Sequence, residues 1–157
     1  MRKHNNKNSG QVFAIIIILI VLIGGGLWFL VSYKQQRMNE ARNFGREAIQ
    51  RIAVNRDLAF IRASLAPISQ LSHPFPPSEQ EFLMQQLQQL GPPAQPIQID
   101  ENITSDSFID FEPHGFFTAH LNYASGQASL QMAIEHATAI NKWRILDLTF
   151  TPPSQAR

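Results

Sequence analysis

The side chains that could do acid–base chemistry are few and widely spaced. A pocket enzyme needs a carboxylate or an imidazole as acid or base, and a hydrogen-bond donor such as tyrosine opposite a developing oxyanion. The candidates are Asp110, His114, His120, Tyr123 and His136. No spacing joins these residues into one constellation, so the sequence predicts a protein that is not an enzyme.

Three polar side chains are the candidates for ligand binding on the concave face of a sheet, namely Asp110, His120 and Asn122. Asp110 and His120 alternate with apolar neighbours, as residues on the polar face of a strand do. Plain solvent exposure is the alternative for these positions. Tyr123 falls on the same side as Phe117, which indicates packing in the core and not a catalytic role.

The chain contains no motif for metal binding, for phosphate binding or for disulfide formation. The five histidines show no His-Glu-x-x-His or comparable spacing, and there is no cysteine. The glycine cluster at residues 24–26 lies inside an apolar run and does not open a phosphate-binding loop. We therefore predict no metal ion and no cofactor, while a small-molecule ligand stays an open alternative.

An apolar run from residue 12 to residue 31 is the strongest signal in the chain, with seventeen hydrophobic residues in twenty and no charge. Twenty helical residues extend over about 30 Å, the thickness of the hydrocarbon core of a membrane. Trp28 and Tyr33 stand near one end, where interfacial aromatic residues are common. The run predicts a basic tail over residues 1–11 and a transmembrane helix over residues 12–33. The residues of this helix that are predicted to face lipid include Val12, Phe13, Ile16, Leu19, Leu22, Trp28 and Val31.

The net charge of +1 hides an uneven distribution. Residues 1–62 carry +7 and residues 63–157 carry −6. Basic residues on both sides of an apolar helix are typical of contact with lipid headgroups. No aromatic-interleaved basic cluster accompanies them, so we predict no nucleic-acid partner. Three Lys or Arg residues lie just before the run and four lie within about 15 residues after it, so the positive-inside count is nearly tied. A short basic tail before a first span usually stays in the cytoplasm, which predicts a bacterial inner-membrane protein with a periplasmic C-terminal domain and leaves the opposite orientation as the alternative.

A membrane-proximal helical segment is predicted over residues 34–68. Two apolar stripes run along it at helical spacing. Ala41, Gly45, Ala48 and Ile52 form the first stripe, and Leu58, Ile61, Leu65 and Ile68 form the second. The tripeptide Asn55-Arg56-Asp57 separates the stripes and could cap a new helix.

A further helix is predicted to begin at Ser78 and to end at Gly91. Ser78 and Glu81 fit a capping box, in which each side chain satisfies the other residue's free backbone donor. Gly91 can adopt the left-handed backbone conformation that ends many helices. The expected apolar face consists of Phe82, Leu83, Leu87 and Leu90.

From Ile97 onward, the apolar residues recur every second position. The alternating sets are Ile97 and Ile99; Ile109 and Phe111; Phe117, Ala119, Leu121 and Tyr123; Ala128, Leu130, Met132 and Ile134; and a last strand from Trp143 to Thr151. Ser125-Gly126 predicts a hairpin turn. Helices followed by such strands indicate an α+β fold, in which helices cover one face of a curved antiparallel sheet. Residues 69–151 complete a domain that begins near residue 38, and residues 152–157 form a tail.

Short segments of the chain resemble the nuclear transport factor 2-like (cystatin-like) superfamily. They are the helical pair around Asn55-Arg56-Asp57-Leu58, the helix that ends Leu90-Gly91-Pro92, and the closing strand Lys142-Trp143-Arg144-Ile145. The resemblance covers roughly residues 38–151. It implies a cone-shaped half-barrel whose concavity binds a ligand or a partner. The superfamily includes isomerases, dehydratases and periplasmic domains of single-span subunits in type IV secretion systems.

The N-terminal third also resembles a prepilin leader and a pilin stem. The resemblance rests on the basic stretch that ends at Gly10 and on the apolar helix that follows Gln11. A pilin likewise follows its long helix with an antiparallel sheet. The chain departs from the pattern at Ile15, where most pilins carry glutamate.

The predicted function is that of a single-pass, membrane-anchored binding or scaffolding protein, such as a small subunit of an inner-membrane assembly like a secretion system. Protein partners or self-association are expected in addition to lipid. A pilin-like or pseudopilin-like subunit with a leader ending at Gly10 is the first alternative. A small-molecule-binding or isomerase-like pocket enzyme is the second.

Overall fold

The computed structural model describes residues 7–105 and 112–153. The chain divides into two compact units, residues 1–36 and residues 37–157. Helix α1 runs from Lys7 to Ile49. The first unit contains the apolar part of α1, where an 18-residue window has a mean hydropathy of 3.0 and none of it is buried. This helix is long and apolar enough to cross a membrane.

After α1, the described part of the second unit contains one π-helical turn, two α-helices and two single 3₁₀ turns. A five-residue π-helical turn, Gln50–Val54, continues from the end of α1. Helix α2 spans Leu58–Ser64, and helix α3 spans Pro77–Leu90. Single 3₁₀ turns lie at Ile68–Gln70 and Thr138–Ile140.

Four antiparallel strands form a curved, open sheet in the order β1-β2-β3-β4. They are β1 (Gln98–Thr104), β2 (His114–Tyr123), β3 (Gly126–Ala137) and β4 (Lys142–Thr151). A tight turn joins β2 to β3 because Tyr123 pairs directly with Gly126. A bulge shifts the register between β3 and β4 at Ala133/Ile134. The predicted α+β class is confirmed, with helices followed by an antiparallel sheet.

The core lies between one face of this sheet and the helices. The apolar residues on alternate positions of β2 and β3 are buried, as predicted. They pack against Ala41, Ala48, Ile49, Ile52, Ile61, Leu83, Met84 and Leu87 from the helices. Gly45 belongs to the same stripe because a Cβ atom there would overlap the ring of Phe117. Small residues on this part of α1 therefore let the helix backbone approach the sheet closely.

The predicted helix boundaries hold in part. Asp57 caps α2, since its carboxylate accepts a hydrogen bond of 2.9 Å from the backbone N–H of Phe60. Gly91 ends α3 with a positive φ of 78°. The predicted stripe over Leu58 and Ile61 ends early, because α2 stops at Ser64 and Ile68 is 82% exposed.

The predicted capping box at Ser78 is wrong. Helix α3 begins one residue earlier, at Pro77, and no side chain caps it. Proline suits the first helical position because its φ is already helical and its missing N–H needs no partner there. Glu81 instead pairs with Arg62 of α2 at 2.9 Å. The expected apolar face is also shifted, since Phe82 is exposed while Met84 and Gln80 are buried.

Candidate functional site

The face of the sheet that points away from the core carries polar side chains from three strands. Strand alternation places Thr118, His120 and Asn122 of β2 on this face. In the register of the sheet, Ser129 of β3 lies opposite His120, and Gln127 of β3 lies opposite Asn122. Asp100 of β1 lies opposite Thr118. We call Asp100, Thr118, His120, Asn122, Gln127 and Ser129 the open-face patch.

A direct contact orders one corner of the open-face patch. The imidazole Nε2 of His120 lies 2.9 Å from the carboxylate Oδ2 of Asp100. This contact is a hydrogen bond for neutral imidazole with Nε2 protonated, and an ion pair once the ring is charged. The Asp100 side chain is 65% exposed, so water screens the charge and the pair contributes little to stability. The pair orients the ring of His120 toward the β1 side of the patch.

The three predicted ligand-binding residues have different outcomes. His120 and Asn122 are two positions apart on β2 and share the open-face patch. The backbone carbonyl of Asn122 accepts a hydrogen bond of 2.7 Å from Ala94, while its side chain is exposed. Asp110 lies outside the described residues, so its placement beside the other two stays a prediction. His114, a further acid–base candidate, begins β2 and is half-buried.

Two of the remaining acid–base candidates belong to the interior. His136 is buried, with Nε2 at 3.3 Å from Nη1 of Arg37 and at 3.2 Å from Oδ1 of Asn141. Its ring meets Trp143 edge to face at 5.1 Å. Tyr123 is also buried, and this burial raises the pKa of its hydroxyl, an effect that the charge of Arg56 partly offsets. Both side chains therefore pack in the interior of the second unit.

A charge cluster that sequence reasoning missed joins α1 to β1. Glu101 accepts hydrogen bonds from Arg42 and from Nε of Arg46, the latter at 3.0 Å. Burial raises the pKa of Glu101, but the hydrogen bonds and positive charges of the two arginines outweigh it and lower the pKa overall. The i, i+4 spacing of Arg42 and Arg46 was visible in the sequence. Their shared partner was not, because it depends on how the helix lies against β1.

Two cavities flank residues 65–76, the proline-rich connection between α2 and α3. The first has a volume of about 430 Å³, and residues from α2, this connection, the start of α3 and β4 line it. The second has a volume of about 470 Å³ and lies between α3 and β4. At the second cavity, Nδ1 of His73 stands 3.6 Å from Oδ2 of Asp147.

Within the described ranges, no three histidine, aspartate or glutamate side chains gather as a metal site requires. Comparisons of the chain with protein-family models, with curated protein sequences and with solved structures returned no match.

Proposed function

We propose that this protein is a single-pass, membrane-anchored binding or scaffolding protein. One observation carries the proposal: the chain combines a long, wholly exposed apolar helix segment with a separate unit that has its own buried core. All seven anchor residues are exposed, and a surface of that kind is stable only where lipid or protein covers it. The apolar residues of the second unit are already buried in its own core, so its exposed polar surfaces are available to bind a partner.

The proposed location is a bacterial inner membrane, with the C-terminal unit in the periplasm. The basic residues on both sides of the apolar run support contact with lipid headgroups, and the short basic tail supports the orientation because such a tail before a first span usually stays in the cytoplasm. The α+β architecture is compatible with a nuclear transport factor 2-like cone, which is the finer fold that we propose. Single-span subunits of secretion systems share that order of tail, span and domain, and this analogy makes a role in such an assembly the preferred one.

The open-face patch is the proposed partner-binding surface of the second unit. It offers donors and acceptors on three adjacent strands, and the Asp100–His120 pair holds one ring in a defined position. One exposed aromatic residue, Phe116, continues the patch along β2 and supplies an apolar anchor. A polar surface with one aromatic anchor suits a protein partner or a second copy of the chain.

Reporter fusions test the location. Alkaline phosphatase fused to the C-terminus should be active, and a fluorescent protein that folds only in the cytoplasm should stay dark. Inactive phosphatase together with bright fluorescence would reverse the proposed orientation.

Site-specific crosslinking tests the binding role. A photoreactive residue at Asn122 should form adducts with a partner in intact cells, while the same residue at the exposed Lys142 at the start of β4 serves as the matched control. Adducts from Asn122 alone would support the open-face patch. Monomer at both positions would contradict a scaffolding role through this face.

The pilin-like alternative has one supporting observation. A single helix of 43 residues precedes a four-stranded antiparallel sheet, which is the order of elements in a pilin. The N-terminal mass of the purified protein separates the two functions. A mature chain that starts at Gln11 would favour a pilin-like subunit, and an intact Met1 terminus would favour the anchor.

A further inference from the structure

The cavity of about 470 Å³ between α3 and β4 combines aromatic rings with carboxylates in its lining. Its volume falls within the range of about 300–1,000 Å³ that is typical of small-molecule sites. One wall consists of Glu79, Phe82 and Gln86, which share a face of α3 because they are three and four residues apart. A second wall is the stretch of β4 from Asp147 to Phe150. Regular elements therefore form two of the walls.

Three phenylalanine rings contribute to this lining. Phe75 and Phe150 are half-buried and pack against the core, which restricts their rings. The backbone at Phe75 is also fixed, because Nε2 of Gln80 donates a hydrogen bond of 2.9 Å to its carbonyl. Phe82 is 59% exposed, so its ring is accessible to a ligand. The face of an aromatic ring carries partial negative charge and attracts a cation.

Two carboxylates, from Glu79 and Asp147, accompany the rings. In the described part of the chain, Glu79 forms no ion pair, and the charged neighbour of Asp147 is His73, whose Nδ1 lies 3.6 Å from Oδ2. That distance is longer than a hydrogen bond, and the His73 side chain is 79% exposed, so the carboxylate of Asp147 keeps its capacity to pair with a ligand. Among the described residues, the lining contains neither lysine nor arginine. Negative charge beside aromatic rings therefore favours a cationic ligand.

We infer that this cavity binds a small alkylated ammonium ion, the class of organic cation to which choline belongs. The aromatic rings contact the alkyl groups that carry the positive charge, and the carboxylate of Asp147 supplies the opposite charge. A bare metal cation or an unsubstituted ammonium group is more strongly hydrated, and aromatic walls do not replace that water. The inference is independent of the open-face patch, which lies on β1, β2 and β3.

Isothermal titration calorimetry of the full chain in maltoside micelles tests the inference, with empty micelles as the reference. Choline is the main probe. Its control is 3,3-dimethylbutan-1-ol, which has the same shape with a carbon atom in place of the charged nitrogen. Excess potassium chloride in the buffer keeps binding of a bare cation out of the measured heat. We expect choline to bind about tenfold more tightly than the alcohol, or better.

Four variants assign the contacts. Asp147→Asn should weaken binding of choline about tenfold and leave binding of the alcohol unchanged, because it removes the charge and keeps the shape. Phe82→Leu should reduce the preference for choline over the alcohol, because it removes an aromatic face and keeps an apolar side chain. Glu81→Gln and Phe116→Leu are the matched controls outside the cavity, and both should bind choline like the wild type.

The alkylated ammonium could come from a free small molecule or from a lipid headgroup, and mixed micelles that contain phosphatidylcholine distinguish these sources. Unchanged binding of choline in the mixed micelles would assign a free small molecule. Competition by phosphatidylcholine would assign the headgroup.

Equal binding of choline and the alcohol would overturn the inference, and so would the absence of heat beyond that of empty micelles. Because Asp147 is half-buried, circular dichroism must show that the Asp147→Asn variant is folded. If it is not, Glu79→Gln and Phe82→Leu decide the matter, since both positions are exposed. Unchanged binding of choline in both of these variants would contradict the proposed site.

Discussion

The two parts of helix α1 present apolar residues in two different patterns. Over residues 12–31 they surround the helix on every side, and a Cβ atom added to any of the three glycines there would meet nothing within 4 Å outside the helix backbone. Over residues 41–52 the apolar residues form one stripe, and Gly45 sits directly against Phe117. An all-round apolar surface suits a uniform apolar solvent, whereas a single stripe suits a protein core on one side. The same helical geometry therefore presents apolar residues on all sides in one unit and a single stripe for tertiary packing in the other.

The largest expected effect comes from placing charge in the apolar part. Leu19→Arg combined with Leu22→Arg should cost about 2.5–3.5 kcal/mol per arginine at the centre of a membrane. The double variant should move from the carbonate-resistant membrane fraction to the soluble or degraded fraction. The matched variant with alanine at both positions should stay in the membrane. Retention of the arginine variant would contradict a spanning role for this segment.

Removing a large core side chain should affect the second unit nearly as strongly. Leu130→Ala deletes a fully buried side chain and should lower the free energy of unfolding by about 2–5 kcal/mol. Chemical denaturation followed by Trp143 fluorescence measures it, since this tryptophan packs on the core. Leu19→Ala, the same change at an exposed anchor position, should leave that transition within experimental error. Similar losses in both variants would erase the distinction between the two parts.

Two glycines on the same helix offer the sharpest contrast. Gly45→Leu forces a side chain into the ring of Phe117 and should destabilise the second unit by about 1–3 kcal/mol. Gly25→Leu meets open space and should leave the stability of the second unit unchanged. Thermal unfolding of the two variants compares them directly. A stable Gly45→Leu variant would show that this part of α1 does not lie in close contact with β2.

The smallest effect concerns the charge cluster at Glu101. Its folded-state pKa lies below the ordinary value of 4.5, so the folded chain binds this proton less readily than the unfolded chain. The stabilisation is therefore complete above that ordinary value and is lost as the pH falls through the folded-state pKa. Glu101→Gln should cost no more than about 1 kcal/mol at neutral pH and should flatten the acid limb of the stability curve. An unchanged acid limb would show that the cluster does not stabilise the second unit.

The sequence pattern predicted the helices and strands in which buried apolar residues recur with the period of the element. Ala41 and Ala48 indicated the buried stripe, and the alternation of Leu130 and Met132 indicated the strand face, because burial imposes both periods. The sequence did not predict the helix ends correctly where two local signals pointed to different residues. Pro77 sets the start of α3 ahead of the serine that fits a capping box, and Ile68 continues a helical spacing after the helix has ended.

Contacts between distant segments could not be predicted from the sequence. The pairing of His120 with Asp100 requires the register of β1 against β2, which a connection of nine residues separates along the chain. The cavity of about 430 Å³ forms because the connection after α2 lies along β4. His120 and Asn122 could be assigned to a polar face from alternation alone, but their neighbours on that face could not.

Cysteine accessibility tests the central claim, a membrane-anchored chain with a separately folded unit outside the membrane, most directly. The natural chain has no cysteine, so single substitutions can be labelled without background. In intact cells, a membrane-impermeant maleimide should label a Gln85→Cys variant on the exposed side of α3 and should not label a Leu19→Cys variant. Rapid labelling of the Leu19→Cys variant, or labelling of the Gln85→Cys variant only after lysis, would contradict the account.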